Sequence, residues 1–152
     1  MLFRSYIVAR MIEILRNGKQ LNRVLEVGTG CGYQAAVLAQ VAREVYSVER
    51  ILPLHERALL TLKELQVHNV ISSYADGSLG LPDIAPFDGI IMAAAATHIP
   101  PALLDQLAVG GRMVLPLGAQ DQTLHLIERD AQGYRESRLE AVKFVPLLMG
   151  RA

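Results

Sequence analysis

The sequence predicts an α/β fold: a three-layer, doubly wound, Rossmann-like sheet that is mostly parallel and carries a C-terminal antiparallel hairpin. Three observations lead to this prediction. Short β-branched runs alternate with helical patterns along the chain, as in βαβ units. A glycine-rich turn joins the first predicted strand to the next helix. The last two apolar runs are separated by residues typical of a turn, which favours antiparallel pairing.

Helical spacing and turn residues define the elements of the first half. Apolar residues recur at helical intervals over residues 6–16, and Asn17-Gly18 ends that helix. Pro53 opens a later helix in its first turn, where proline is tolerated. In chain order, the prediction is a helix over 6–16, a strand over 23–27, a helix over 34–41, a strand over 44–48, a helix from Pro53 to Leu65, and a strand over 70–74.

The second half predicts strands with one helix between them. Residues 87–92 are almost continuously apolar, which is typical of a strand covered on both faces. A helix over 101–107 is expected to end before the paired glycines Gly110 and Gly111. The remaining predictions are a strand over 112–117 and a hairpin formed by residues 122–128 and 139–148.

Length and composition fit a single domain over residues 1–152. Hydrophobic residues make up 51% and charged residues 20%, enough for a buried core and too apolar for disorder. Lys plus Arg and Asp plus Glu number 15 each, so the basic excess typical of nucleic-acid-binding proteins is missing. The apolar runs are short for a membrane span, and the N-terminus lacks a signal-peptide pattern. We therefore expect a cytoplasmic protein without nucleic-acid or membrane partners.

Cysteine and histidine usage argues against a metal site. Cys31 is the only cysteine, and the four histidines fall in four different predicted segments without ligand spacing. Cys31 lies inside the glycine turn, where we interpret it as a small side chain next to a ligand. A nucleophilic role would require an activating base beside it.

The strongest chemical signal is the glycine turn that follows the first strand. Gly28, Gly30 and Gly32 alternate with other residues between that strand and the next helix. Glycines let the backbone turn sharply and approach a ligand closely. Ligands of doubly wound sheets bind at the carboxyl ends of the strands, where this turn lies. The sequence therefore predicts a nucleotide-like ligand at the turn.

Two acidic residues extend this predicted site. Glu49 ends the second strand, 19 residues after Gly30, where a carboxylate can accept hydrogen bonds from both ribose hydroxyls. The alternative for Glu49 is a surface ion pair with Arg50. Asp76-Gly77 directly follows the third strand and is expected to border the adenine; the alternative is an ordinary Asp-Gly turn.

The glycine spacing leaves two cofactor classes open. Gly30, Gly32 and Ala35 match the G-x-G-x-x-A variant of the nicotinamide-dinucleotide fingerprint, which keeps an oxidoreductase as an alternative. The sequence from Glu26 to Gly32, E-x-G-x-G-x-G, resembles the first motif of class I methyltransferases, which use S-adenosyl-L-methionine. The cofactor-binding residues expected from this resemblance are Glu26, Gly28, Thr29, Gly30, Cys31, Gly32, Tyr33, Gln34, Glu49, Arg50, Asp76, Gly77 and Ala93.

Motifs at nearly every strand end resemble one family, the protein-L-isoaspartate O-methyltransferases. They comprise Tyr6–Met11, Val48-Glu49-Arg50, Asp76-Gly77, Phe87-Asp88 with Ala93–Ala95, Ile99-Pro100, Gly110-Gly111-Arg112 and Phe144–Leu147. The resemblance runs from Tyr6 to about Gly150. It implies methyl transfer from S-adenosyl-L-methionine to the α-carboxylate of isoaspartyl residues in aged proteins, with S-adenosyl-L-homocysteine as the product. The methyl ester then closes to a succinimide, whose hydrolysis returns some normal aspartate.

This chemistry needs no obvious catalytic side chain. The accepting carboxylate is already ionised at neutral pH, so alignment and exclusion of water are the enzyme's main tasks. By resemblance, Ala94, Ala95, Ala96, Val145, Pro146 and Leu147 flank the isoaspartyl peptide, and an extended edge there would bind its backbone. The alternative for both segments is core packing and chain reversal.

The start of the chain departs from the family pattern. The family carries a further N-terminal stretch with a Ser-Gln-Pro-Tyr segment, whereas Phe3 stands at the position of its serine and Ser5 at that of its proline. We therefore expect a domain shortened at its N-terminus, with a largely present cofactor site, weak or absent methyl transfer, and apolar surface that favours self-association. A non-catalytic binding module is the corresponding alternative.

Overall fold

The computed structural model describes residues 2–152, which form four α-helices and seven strands. The elements are α1 (Leu2–Arg16), β1 (Leu21–Val27), α2 (Tyr33–Leu38), β2 (Ala42–Glu49), α3 (Leu52–Glu64), β3 (Val70–Tyr74), β4 (Phe87–Met92), α4 (Pro101–Asp105), β5 (Leu107–Gly118), β6 (Gln122–Asp130) and β7 (Gly133–Val142). A short 3-10 turn, Gly77–Leu79, follows β3.

The seven strands form one sheet in the order β3-β2-β1-β4-β5-β6-β7. The first five strands along the chain pair in parallel, whereas β6 is antiparallel to both of its neighbours. The predicted Rossmann-like fold with a C-terminal antiparallel hairpin is thus confirmed. Since β1 lies between β2 and β4, the carboxyl ends of these three strands meet at one edge of the sheet.

Two hydrophobic clusters cover the two faces of this sheet. Val24 of β1 and Ile91 of β4 pack with the buried residues of α1, among them Met11 and Leu15. Leu25, Ile90 and Met92 belong to a second cluster that contains Leu103 of α4. Because successive side chains of a strand point to opposite faces, continuous apolar runs are required for a sheet buried on both sides. The interpretation of residues 87–92 is confirmed.

The largest difference from the sequence prediction lies around residues 107–111. The predicted helix over 101–107 ends at Asp105, and β5 begins at Leu107 instead of residue 112. The pairing of β4 with β5 shifts its register between Phe87 and Gly89, and Gly110 adopts a φ of 86°. The glycine pair therefore forms an irregularity within a strand and not the end of a helix.

The second hairpin strand was also predicted wrongly, since β7 spans Gly133–Val142 and not residues 139–148. The side chain of Gln122 accepts a hydrogen bond from the Phe144 backbone N–H and donates one to the Phe144 carbonyl. These two bonds replace the strand ladder, so the chain leaves the sheet after Val142. Smaller shifts affect the other elements: α1 begins at Leu2, β1 at Leu21, β2 at Ala42 and α3 at Leu52, α2 ends at Leu38, and β6 ends at Asp130.

None of the described helices has the length and apolar character needed to cross a membrane.

Replacing Ile91 by alanine is expected to lower the free energy of unfolding by about 2–5 kcal/mol, because the side chain is fully buried in the central strand β4. Ile71→Ala on β3 is the matched control, since Ile71 is 47% exposed; its expected loss is below about 1 kcal/mol. Urea unfolding at 25 °C measures both values. Equal losses for the two variants would contradict the position of the core described here.

Candidate functional site

The candidate site lies where β1, β2 and β4 end. Two hydrogen bonds extend the sheet by one residue: beyond β1 the Gly28 N–H donates to the Val48 carbonyl at 2.9 Å, and beyond β4 the Ala93 N–H donates to the Val27 carbonyl at 3.0 Å. Beyond these bonds the chain enters the glycine turn, which leads into α2. The edge predicted from the sequence therefore brings Gly28, Glu49 and Ala93 together.

Gly32 and Gly30 both have a positive φ, but the space around the two residues differs. Gly32 has a φ of 94°, and a Cβ there would lie 3.3 Å from backbone atoms of Ala58, so the turn packs directly against α3. Gly30 has a φ of 57°, but a Cβ at this position would meet no other atom within 4 Å. The backbone at Gly30 thus faces open space, which is what a bound ligand requires.

The carboxylate of Glu49 holds the glycine turn at this edge. One oxygen accepts a hydrogen bond from the Gly30 N–H at 2.8 Å, and the other accepts from the Ile51 N–H at 3.0 Å. Glu49 is only 5% exposed. It therefore lies buried beside the glycine turn, and its predicted role in ribose binding stays a prediction. The alternative of a surface ion pair with Arg50 does not describe its environment, because Glu49 is buried and bonds to backbone N–H groups, while the Arg50 Nε–H donates to the Gly150 carbonyl.

A buried polar network lies directly beneath the turn. Glu26 accepts hydrogen bonds from the Ser47 hydroxyl at 2.5 Å and from the Gln34 side-chain amide at 2.9 Å. The Ser47 hydroxyl also lies 2.5 Å from that of Thr29. Burial raises the pKa of Glu26 to about 7; the bonds from Ser47 and Gln34 oppose this rise, and the negative charge of Glu49 adds to it.

Sequence reasoning missed Ser47. The available signal was a single hydroxyl between apolar residues of the second predicted strand, in the sequence Val45-Tyr46-Ser47-Val48. Gln34 and Glu26, both predicted as cofactor-binding residues, bond to each other below the turn. Tyr33, at the start of α2, is 64% exposed, and Cys31 is exposed as well.

Asp76 uses both carboxylate oxygens within the protein. One accepts hydrogen bonds from the Ser78 backbone at 2.9 Å and the Ser78 hydroxyl at 2.6 Å, which caps the 3-10 turn that contains Gly77. The other accepts from the Gly150 N–H at 2.9 Å. Partial burial acts to raise the pKa of Asp76, but the bonds from Ser78 and Gly150 and the charge of Arg50 outweigh it, so the pKa is lowered.

Residues 150–152 lie across the ends of β2 and β3. The Arg50 side chain donates to the Gly150 carbonyl at 3.2 Å, and the Ala152 N–H donates to the Arg50 carbonyl at 2.7 Å. The Tyr74 hydroxyl donates to the Ala152 carbonyl at 3.0 Å. This C-terminal segment was outside the predicted site, because no local pattern in the sequence indicates contacts over such distances along the chain.

The two segments predicted to flank a peptide substrate are neighbours in the structure. The Ala95 N–H donates to the Val145 carbonyl at 2.7 Å, and the Leu147 N–H donates to the Ala95 carbonyl at 2.8 Å. Pro146 forms a parallel bridge with Ala95. Ala94, Ala95 and Ala96 are buried, whereas Val145 is 62% exposed. Of these two paired segments, residues 145–147 are therefore the one that is accessible to solvent.

Within residues 2–152, the structure contains no group of three or more His, Cys, Asp or Glu side chains placed to hold a metal ion. The side chains of Phe3 and Ser5, considered above for the altered start of the chain, lie outside the described part of the structure.

Comparisons with known sequences point to one family. The sequence model of the protein-L-isoaspartate(D-aspartate) O-methyltransferases matches residues 3–152. The curated protein-L-isoaspartate O-methyltransferase of Methylobacillus flagellatus is 62% identical over 151 residues, and that of Dechloromonas aromatica is 60% identical over 148 residues. Each alignment covers 97% of this chain and 68% of the relative. The chain thus spans about two thirds of the length of these relatives.

Comparisons with solved structures point to the same family. A protein-L-isoaspartate O-methyltransferase superposes with a TM-score of 0.87 at 28% sequence identity, covering 96% of this chain and 48% of that chain. A putative protein-L-isoaspartate O-methyltransferase from Plasmodium falciparum, solved in complex with S-adenosyl-L-homocysteine, has a TM-score of 0.76 at 26% identity. That match covers 93% of this chain and 71% of the Plasmodium chain.

The environment of Glu26 predicts a distinctive dependence of stability on pH. Its pKa of about 7 in the folded chain exceeds the ordinary value of 4.5, so the folded state binds this proton more tightly than the unfolded state. The contribution of Glu26 to stability is therefore greatest below pH 4.5 and falls as the pH rises towards 7, by about 1.4 kcal/mol per unit of pKa difference. Glu26→Gln removes this titration.

Urea unfolding at several values between pH 5 and pH 8 tests this expectation. The free energy of unfolding of Glu26→Gln, relative to the parent chain, is expected to increase by a few kcal/mol across this range. If the free energies of unfolding of the two proteins differed by the same amount at every pH, Glu26 would titrate in the folded state as it does in the unfolded state.

Proposed function

The chain belongs to the protein-L-isoaspartate O-methyltransferase family, and on that premise we propose that it transfers a methyl group from S-adenosyl-L-methionine to the free α-carboxylate of isoaspartyl residues in damaged proteins. The observation that carries this proposal is that two features lie close together. One is the glycine turn bonded to Glu49, and the other is the pair of segments Ala93–Ala96 and Val145–Leu147. These two features support a cofactor site and a peptide-binding edge at the same end of the sheet.

The residues present fit the cofactor. Its methionyl part would lie along the open backbone at Gly30, where even a Cβ meets no other atom. The ribose hydroxyls would be bound by Glu49, which presents a buried carboxylate at the end of β2, and the adenine would lie near Asp76 and Gly77. When bound, S-adenosyl-L-methionine supplies an electrophilic methyl group on a sulfonium. The chain's own contribution is to bind and orient these parts.

The substrate side requires alignment more than acid–base chemistry. An isoaspartyl carboxylate is ionised at neutral pH and needs no general base before it attacks a methyl group. Residues 145–147 stand beside Ala95 and expose the Val145 side chain, so they offer an extended segment for a peptide next to the cofactor site. Holding the two reactants close together and away from bulk water would account for most of the rate enhancement.

A methylation assay tests the proposed reaction. The chain is incubated with methyl-labelled S-adenosyl-L-methionine and a peptide that contains one isoaspartyl residue, and base-labile methyl ester is counted. Because the start of the chain departs from the family pattern, we expect slow labelling of this peptide and none of the same peptide with a normal aspartyl residue. Absence of labelling by a chain that binds S-adenosyl-L-homocysteine would favour the non-catalytic binding module. Calorimetric titration of the same preparation is expected to detect binding of S-adenosyl-L-homocysteine and none of NADH. Binding of NADH without peptide labelling would favour a nicotinamide-dependent oxidoreductase instead.

The open space at Gly30 gives a matched pair of variants. Gly30 and Gly18 have φ values of 57° and 73°, and a Cβ at either position meets no other atom within 4 Å. Alanine in this left-handed conformation costs about 1–2 kcal/mol, so both variants are expected to lose similar stability. Only Gly30→Ala, with its methyl group in the proposed cofactor site, is expected to bind S-adenosyl-L-homocysteine at least tenfold more weakly. Equal affinities of the two variants for S-adenosyl-L-homocysteine would show that Gly30 does not line the cofactor site.

A further inference from the structure

The turn is held by alternate residues of β2. Ser47 and Glu49 point to the same face because side chains of a strand alternate. They contact successive residues of the turn: the Ser47 hydroxyl meets that of Thr29, and the Glu49 carboxylate accepts from the Gly30 N–H. Ser47 is also paired in register with Glu26 of β1, so a single buried hydroxyl connects the strand, the acid and the turn.

The direction of these hydrogen bonds follows from counting protons. A serine hydroxyl has one proton, which Ser47 donates to Glu26 when the Glu26 carboxylate is ionised. In that state the short contact between Ser47 and Thr29 requires Thr29 to be the donor. The order runs from Thr29 to Ser47 to Glu26, and the Gln34 amide donates to the second Glu26 oxygen. This arrangement orients the Thr29 hydroxyl towards the protein interior.

We propose that Ser47 is a positioning residue for cofactor binding, which fixes the glycine turn by anchoring Thr29 to Glu26. This inference rests on the proposed cofactor site. Ser47 is fully buried and does not lie at the open side of the turn, so it acts through Thr29 and not by contact with the cofactor. Glu49 secures the backbone of Gly30, and Ser47 secures the side chain of the preceding residue.

Removal of the Ser47 hydroxyl would leave two buried polar groups without their partner. Thr29 is 3% exposed and Glu26 is fully buried, so solvent cannot replace the lost bonds easily. The groups that act on Glu26 are Gln34 from α2 and Ser47 and Glu49 from β2, while its in-register neighbour on β4 is the apolar Ile91. Since the bond from Ser47 lowers the pKa of Glu26, its loss is expected to raise that pKa further.

Ser47→Ala and Ser72→Ala form the test and its control. Ser72 is the in-register neighbour of Ser47 on β3, and its hydroxyl bonds to His55 of α3, away from the turn. Calorimetric titration with S-adenosyl-L-homocysteine is expected to show about tenfold weaker binding by Ser47→Ala, on the scale of one net hydrogen bond. Ser72→Ala is expected to bind like the parent chain.

Two further readouts separate positioning from a general loss of stability. Carbon-13 NMR titration of the Glu26 carboxyl is expected to show a higher midpoint in Ser47→Ala than in the parent chain. Amide exchange at Gly30 is expected to be faster in the ligand-free variant. Thr29→Val is expected to weaken binding to a similar degree, and the double variant no further, because both changes break the same connection.

The outcomes distinguish this inference from the proposed function. Methylation by the parent chain together with binding by Ser47→Ala within twofold of the parent would overturn the role of Ser47 alone. It would also be overturned if the fold-losses in affinity of Ser47→Ala and Thr29→Val multiplied in the double variant, because the two side chains would then act independently. A parent chain that does not bind S-adenosyl-L-homocysteine would overturn the cofactor site and this inference together. Should Ser47→Ala not fold, Thr29→Val alone decides: it should bind about tenfold more weakly with an unshifted Glu26 titration, and binding within twofold of the parent would refute the proposal.

Discussion

The parallel register of β1 with β2 is the constraint on which the site depends. It places Glu26 opposite Ser47 and Val27 opposite Val48, so the two strands end together. Gly28 then continues the pairing for one residue, and the turn that follows comes within reach of Glu49. A slip of one residue would move the polar side chains of β2 to the other face of the sheet. The apolar residues around them, buried on both faces, oppose such a slip.

The site combines this rigid frame with groups that are costly to bury. Three polar side chains, Glu26, Thr29 and Ser47, are buried close to Glu49, and their hydrogen bonds run to one another and to Gln34. Such a network is stable while every member is paired, and it becomes a liability when one is removed. The raised pKa of Glu26 has the same origin, because burial disfavours the charged form of its carboxyl group.

The sequence allowed the fold to be predicted because the elements that build the sheet have strong periodic signals. It failed where a tertiary contact overrides a local pattern. Gly110 has the chemistry of a helix end but lies inside β5, and the Gln122 side chain ends β7 early by bonding to Phe144. The position of Glu49 beside the turn was predictable because it ends a strand, whereas the contacts of Ser47 with Glu26 and Thr29 were not, since they depend on the register between two strands.

The contacts of Gly150 have a consequence for the order in which the molecule is assembled. Gly150 bonds to Asp76 and Arg50, which precede it by 74 and 100 residues. A chain synthesised from its N-terminus will have made the glycine turn and most of the parallel strands well before Gly150 emerges from the ribosome. The hydrogen bonds that Asp76 and Arg50 make to Gly150 can form only after residue 150 has been synthesised. A nascent chain would therefore pair its parallel strands β1 to β5 before the contacts of Gly150 with Asp76 and Arg50 can form.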